Sequence, residues 1–187
     1  MKQRIRAHLK GKPAPKEASE AIQRRLMAED FWSSAFQVGL YRSAGTEPAT
    51  EALLADLLAR GAKVAVPVRR GEGYGWGWVD AETRWEKSAH GIPEPAHAQP
   101  ANPADLRVIV VPGVAFDSRG GRLGHGKGHF DRLLAQSGAF FVGLCFENRL
   151  VAAIPMEPHD VRMDLVATEK QMLFAPTAAA KLERLIG

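Results

Sequence analysis

Apolar positions along this chain recur with two periods, about 3.6 and 2 residues, and the switches between them mark alternating helices and strands. Residues 2–10 predict a short amphipathic helix with Ile5 and Leu9 on one face, while Lys2 and Arg6, four apart, project together from another. Lys12-Pro13-Ala14-Pro15 breaks it. Ser19 is the expected N-cap of a second helix reaching about Ser34, and Phe36–Tyr41 reads as a strand leading into the loop Arg42–Thr46. Residues 48–60 give the clearest helix: Leu53, Leu54, Leu57 and Leu58 form its stripe and Gly61 stands at C′. Lys63–Val68 follows as a strand, so strand, helix and strand predict a parallel pair with a helical crossover.

Residues 69–105 are rich in Gly, Pro and Trp, and Gly73–Trp78 alternates glycine with aromatics, as in a short strand or hairpin exposing one aromatic face. His90–Pro95 reads as a turn. Arg107–Val111 is a β-branched run, the best candidate for a central strand buried on both faces. A helix at 128–136, strands at Phe140–Phe146, Leu150–Ile154 and Leu165–Thr168, and a helix from Thr177 to Leu185 complete the pattern. The prediction is an α/β fold: a single 1–187 domain, a three-layer α/β/α sandwich around a mostly parallel mixed sheet.

Composition narrows the field. A chain of 187 residues with 45% hydrophobic and 25% charged residues can bury a core without staples. The lone Cys145 excludes an internal disulfide and a Cys-rich zinc site, and its apolar surroundings predict a buried strand thiol. There is no apolar leader after Met1 and no run approaching the roughly 20 residues of a membrane span, so the expectation is a cytoplasmic protein without membrane partners. The net charge of +4 is spread along the chain, which fits a polyanionic small substrate as well as nucleic acid.

Chemistry concentrates in Gly120–Asp131. Five glycines (Gly120, Gly121, Gly124, Gly126, Gly128) fall within nine positions. Gly121–Lys127 satisfies the first seven positions of the phosphate loop G-x-x-x-x-G-K-[ST], but Gly128 replaces the hydroxyl residue and the segment lies well past its strand. It is not a Walker A motif. The physics carries over nonetheless: glycines let successive N–H groups converge on an anion, Arg122 and Lys127 add charge, and the next helix would offer its positive end. The alternative is a glycine-rich surface turn. With no loop hydroxyl, magnesium would take oxygens from Asp131 first, then Asp160 and Asp164.

Three segments carry a resemblance over nearly the whole chain: Val111–Asp117, the Gly120–Arg132 loop, and Glu157–Asp160 through Asp164–Glu169. With Lys2-x-x-Ile5-Arg6, Tyr41–Thr50 and Gly91–Pro95, they resemble the 5-formyltetrahydrofolate cyclo-ligase (methenyltetrahydrofolate synthetase) family. The resemblance implies an architecture similar to isomerase/CoA-transferase-like folds and a ligase of one-carbon metabolism. That enzyme would convert 5-formyltetrahydrofolate and Mg-ATP to 5,10-methenyltetrahydrofolate, ADP and phosphate. The formyl oxygen would attack the γ-phosphate, N10 would add to the activated carbon, and phosphate would depart. It implies ATP contacts from Lys2, Arg6, Arg122, Leu123, Gly124, His125, Gly126, Lys127, Gly128, His129 and Phe130, with Arg122 and Lys127 as the catalytic charges. Asp131 and Asp164 would hold Mg2+, and Glu47 would bind the pterin. Tyr41, Trp76 and Trp78 are aromatics suited either to the pterin or to the core. The partner would be the folate, with or without a polyglutamate tail, and no nucleic acid; the protein would be a monomer or weak dimer.

The family usually has two tyrosines where this chain has His129-Phe130. His129 suits a phosphate contact or simple packing on the loop, and His159 suits a metal-positioning or a structural role. Other readings are a non-catalytic folate- or nucleotide-binding relative, a nucleic-acid-binding module supported only by the charge, and a phosphosugar isomerase on similar architecture.

Overall fold

The computed structural model describes residues 1–9, 15–88 and 91–186. Helices α1 (Lys2–Leu9), α2 (Lys16–Met27) and α3 (Asp30–Ser34) precede strand β1 (Gln37–Leu40). Helix α4 (Glu51–Ala59) leads to β2 (Lys63–Arg70), which turns back as β3 (Gly73–Val79). Short strands β4 (Trp85–Lys87), β5 (Pro93–Pro95) and β6 (Gln99–Ala101) come before β7 (Val108–Val111). The two-residue pair β8 (Ala115–Phe116) and β9 (Arg122–Leu123) leads to α5 (His129–Leu134). Strands β10 (Phe140–Leu144), β11 (Leu165–Ala167) and β12 (Met172–Phe174) and helix α6 (Ala179–Ile186) follow.

Eight strands share one sheet in the order β12-β11-β10-β7-β1-β2-β3-β6. The inner five, β11 to β2, are parallel, while β12, β3 and β6 pair antiparallel at the flanks. Val108–Val111 lies centrally because it is apolar on both faces. Val108 and Val110 enter one core with Ile22, Leu26, Leu53 and Leu57, and Ile109 and Val111 enter the other with Leu133, Leu134 and Phe141. These two cores make the expected three layers. At the end of α4, Gly61 adopts φ 73° and Ala62 N–H bonds back to Leu57 O at 2.9 Å, as a C′ glycine should. Among the described residues no helix is long and apolar enough to cross a membrane.

Several local expectations are corrected. The second helix starts at Lys16 and stops at Met27, and α3 is separate. Ser19 lies inside α2, where its hydroxyl accepts from Ala49 N at 3.1 Å instead of capping. Leu150–Ile154 is not a strand: β11 already occupies the edge of β10. The segment's amides go instead to Phe116 O (from Val151, 2.9 Å) and Asp117 Oδ2 (from Ile154, 2.8 Å). The β3 aromatic face is mostly covered, with Trp76 2% exposed in the second core and only Tyr74 open. The break at residues 12–15 falls mostly outside the described residues, as does His90 of the predicted turn.

The topology also fixes where a ligand can sit. From β1 the chain goes first to β2 on one side, then returns to β7 on the other. Beyond the carboxyl ends of two such strands, their connections diverge and leave a crevice. Here those ends deliver Tyr41-Arg42 and Pro112-Gly113.

Candidate active site

That crevice is a cleft of about 780 Å³ whose walls include Tyr41, Arg42, Pro112 and Gly113. The whole run Arg122–Asp131 lines it, together with Lys2, Arg6, Glu47 and Asp160. Most of the residues singled out in the sequence therefore meet in one place.

The Gly-rich loop is built to leave its amides free. Gly126 and Gly128 sit at φ 100° and 64°, conformations that a side chain disfavours. At Gly124 a Cβ would stand 2.9 Å from Arg122 Nη1, so a side chain there would push on the guanidinium. No N–H of residues 124–128 donates to another described residue. Residues 125–127 are exposed, so these amides face solvent and are available to converge on an anion. The helix dipole adds less than expected, because α5 has only 6 residues.

The cations divide into two kinds. Lys127 is exposed and makes no ion pair with another described residue, which leaves its charge free for a ligand. Arg6 reaches from α1 to the loop, Nε donating to Gly124 O at 2.8 Å, with its remaining nitrogens beside Gly126. Arg122 is instead committed: its side chain is 4% exposed, Nη2 donates to Asp131 Oδ1 at 2.7 Å, and the guanidinium lies 5.9 Å from the Phe130 ring centre. Leu123 is buried against α1, in a small cluster with Leu9, Val114 and Ile154. His125 reaches toward Glu47, Nε2 to Oε1 3.9 Å. His129 contacts Arg132 Nη2 at 3.0 Å and lies edge-to-face with Tyr74, ring centres 5.1 Å apart. Desolvation, then Arg132, Lys127 and Arg69, hold the His129 imidazole below its ordinary pKa, favouring the neutral ring.

The acids differ from expectation. Asp131 is in the cleft, but Asp164 is not: it is 4% exposed and accepts from Phe141 N at 2.8 Å and Lys181 Nζ at 2.9 Å. It therefore latches α6 to β10, and the structure does not bring it to Asp131. Asp160 occupies the cleft instead, its Oδ2 bonded to Lys2 Nζ at 2.7 Å. Glu157, His159 and Asp160 place one ligand atom each within 4.8 Å of one another, two carboxylate oxygens and an imidazole nitrogen, and the two carboxylates are the ligand type a hard cation takes. The hydrogen bond to Asp160 raises the Lys2 pKa. Burial opposes ionisation of Asp160, but the Lys2 hydrogen bond and charge outweigh it and keep the carboxyl below its usual range.

Glu47 also lines the cleft, half-buried, and its Oε2 accepts from Ala44 N at 3.2 Å. Tyr41 contributes only its ring edge: it is 2% exposed and its hydroxyl donates to Pro48 O at 2.6 Å. Trp76 and Trp78 do not reach the cleft. They pack on the second core, and Trp78 borders a separate groove behind β2 and β3.

Comparison with known proteins identifies the family. The family model of the 5-formyltetrahydrofolate cyclo-ligase family matches residues 1–169. The chain belongs to the 5-formyltetrahydrofolate cyclo-ligase family. A relative from Mycolicibacterium smegmatis, named 5-formyltetrahydrofolate cyclo-ligase, is 35% identical over 147 residues, covering 72% of this chain and 74% of its own. A mouse protein of the same name is 24% identical and covers 90% and 93%. A solved Aquifex aeolicus 5,10-methenyltetrahydrofolate synthetase superposes with a TM-score of 0.81 at 27% identity, covering 94% of this chain and 91% of that one.

Within this cyclo-ligase fold, three cleft residues escaped the sequence reading. Arg42 lies between two residues of the matching Tyr41–Thr50 segment, and its place just past a buried strand was an available signal. Arg69 and Tyr74 reach the cleft because β2 and β3 form a tight hairpin at Gly71 (φ 56°); the Gly73–Trp78 alternation suggests a short strand or hairpin but does not name β2 as its partner.

Proposed function

We propose that the protein converts 5-formyltetrahydrofolate to 5,10-methenyltetrahydrofolate at the expense of ATP, with release of ADP and phosphate. The observation that carries this reading is the loop of free amides at residues 124–128, with Lys127 and Arg6, neither in an ion pair among the described residues, in one cleft with Glu47. The loop suits the triphosphate. The Glu47 carboxylate suits the paired donors of an amino-pyrimidine edge.

Phosphoryl transfer asks the protein mainly for positioning and charge neutralisation, and the loop supplies both. The formyl oxygen bonds to the γ-phosphorus while the bond to the β–γ bridging oxygen breaks and ADP leaves. The N10 lone pair then adds to the former formyl carbon. The C–O bond breaks, phosphate leaves, and the N10 proton goes to solvent. Lys127 and the loop amides hold the equatorial oxygens. Arg122, held by Asp131, fixes the loop's entry, and Arg6 fixes its crest. Asp160 and Asp131, with Glu157 alongside, are the residues that would hold Mg2+, which when bound neutralises phosphate charge. No nucleophilic side chain is needed.

The direct test mixes purified protein with 5-formyltetrahydrofolate and Mg-ATP and follows the near-ultraviolet absorbance of the methenyl product. A rise requiring both ATP and magnesium is expected. A flat trace with ATP binding intact would overturn the activity and point to a non-catalytic relative.

A further inference from the structure

Arg42 lines the cleft just past β1, yet its guanidinium makes no hydrogen bond to any described residue. Nε and Nη1 are buried without partners, and Nη2 stops 3.8 Å from Glu51 Oε1. Glu51 is not a committed partner, because Oε1 already accepts from Ser43 Oγ at 3.1 Å and Oε2 from Thr50 N at 3.1 Å. The Glu51 side chain is also 56% exposed, so the pair is loose and screened. One face of the guanidinium lies on Trp85, 4.8 Å from the ring centre, which leaves the in-plane donor edge unused. Arg122, also with a buried unpaired nitrogen, differs in being bonded to Asp131. Desolvation lowers the Arg42 pKa from its ordinary value, and the charge of Glu51 offsets this only in part.

A stacked guanidinium with a free edge is matched to a carboxylate, which accepts two parallel N–H bonds. A largely buried cation whose ion pair is loose and without a hydrogen bond is a standing cost to the fold that a bound anion relieves. Phosphate already has Lys127, Arg6 and the loop amides. The remaining anionic group among the substrates is the glutamyl residue of the folate, beyond the p-aminobenzoyl ring. We propose that Arg42, stacked on Trp85, binds a carboxylate of the glutamyl tail and so selects tail-bearing folates over bare pterins. This rests on the cyclo-ligase reading above.

The test compares wild type, Arg42→Gln and Arg42→Lys on two substrates. One is 5-formyltetrahydrofolate, and the other is 5-formyl-6-(anilinomethyl)tetrahydropterin, which keeps N10 and has no carboxylate. Arg42→Gln is expected to raise KM for the folate by about 10- to 100-fold, the scale of a lost charge-assisted pair, with kcat little changed. Its KM for the anilinomethyl compound stays as in wild type, and Arg42→Lys recovers part of the folate affinity. An equal KM rise on both substrates, or none on the folate, overturns the proposal. A wild type inactive on both substrates sinks the cyclo-ligase reading instead. Calorimetry with p-aminobenzoylglutamate then decides Arg42 separately: equal binding by wild type and Arg42→Gln rejects it, and a loss of at least tenfold supports it.

Discussion

Lys127→Ala separates chemistry from folding more cleanly than any other change in the loop. The wild-type side chain is exposed and unpaired among the described residues, so its removal leaves no described buried group without a partner. The expected stability change is within about 0.5 kcal/mol. For a chain of 187 residues that corresponds to about 1 °C in Tm. In the proposed reaction the same nitrogen would meet charge that builds on the transferring phosphoryl group, and losing one such contact costs on the order of 100-fold. That is about 2.7 kcal/mol of transition-state stabilisation, several times the stability change. The assay is the initial rate of methenyl product formation across a range of ATP concentrations, paired with thermal unfolding of the same preparations. A fall of at least about 100-fold in kcat/KM with unchanged Tm is the expected result. Wild-type kinetics would refute the role of the loop. A Tm several degrees lower would refute the claim that Lys127 is free of the fold.

Asp164→Asn and Asp160→Asn should behave oppositely. The first loses a buried partner of Lys181 and lowers Tm by several degrees while leaving the magnesium dependence alone. The second raises the magnesium concentration for half-maximal rate with little change in Tm; both are read by metal titration and thermal melts. Burial pushes the Cys145 thiol well above its ordinary pKa, so iodoacetamide should label it only after unfolding, as mass spectrometry of native and denatured samples would show. The unfolded chain loses that proton from about pH 8.5 upward while the folded chain keeps it, so stability falls as pH rises there. Cys145→Ala should flatten this alkaline loss in pH-dependent melts. Trp78→Phe should leave KM for both substrates within about twofold, since the ring packs on the core and not in the cleft.

The sheet's centre was legible because Val108–Val111 carries its own proof: four apolar residues can all be buried only between two covered faces. The α4 stripe and Gly61 were legible for the same local reason. Leu150–Ile154 was not, because its apolar run is equally consistent with a strand and with a coil packed beside Phe116 and Asp117. Only the sheet order shows that the neighbouring edge is taken. In the site, the glycine spacing announced the loop, since free amides need bare backbone. The choice between Asp160 and Asp164 was different. Both stand in one short segment, and only the docking of α6 shows that Lys181 claims the second. Arg42 and Trp85 are 43 positions apart, and nothing in the sequence pairs them.

Helix α1 is fastened to the molecule largely by the groups that would meet ATP. Lys2 bonds Asp160, Arg6 bonds Gly124, and the apolar share is the small cluster around Leu9 and Ile5. The two main cores lie elsewhere and take nothing from it. A chain lacking Lys2–Leu9 should therefore keep its sheet and still melt cooperatively, yet have an unfinished nucleotide site. Conversely, an occupied site should clamp the helix, so protease resistance at this end of the chain would report nucleotide occupancy without any turnover.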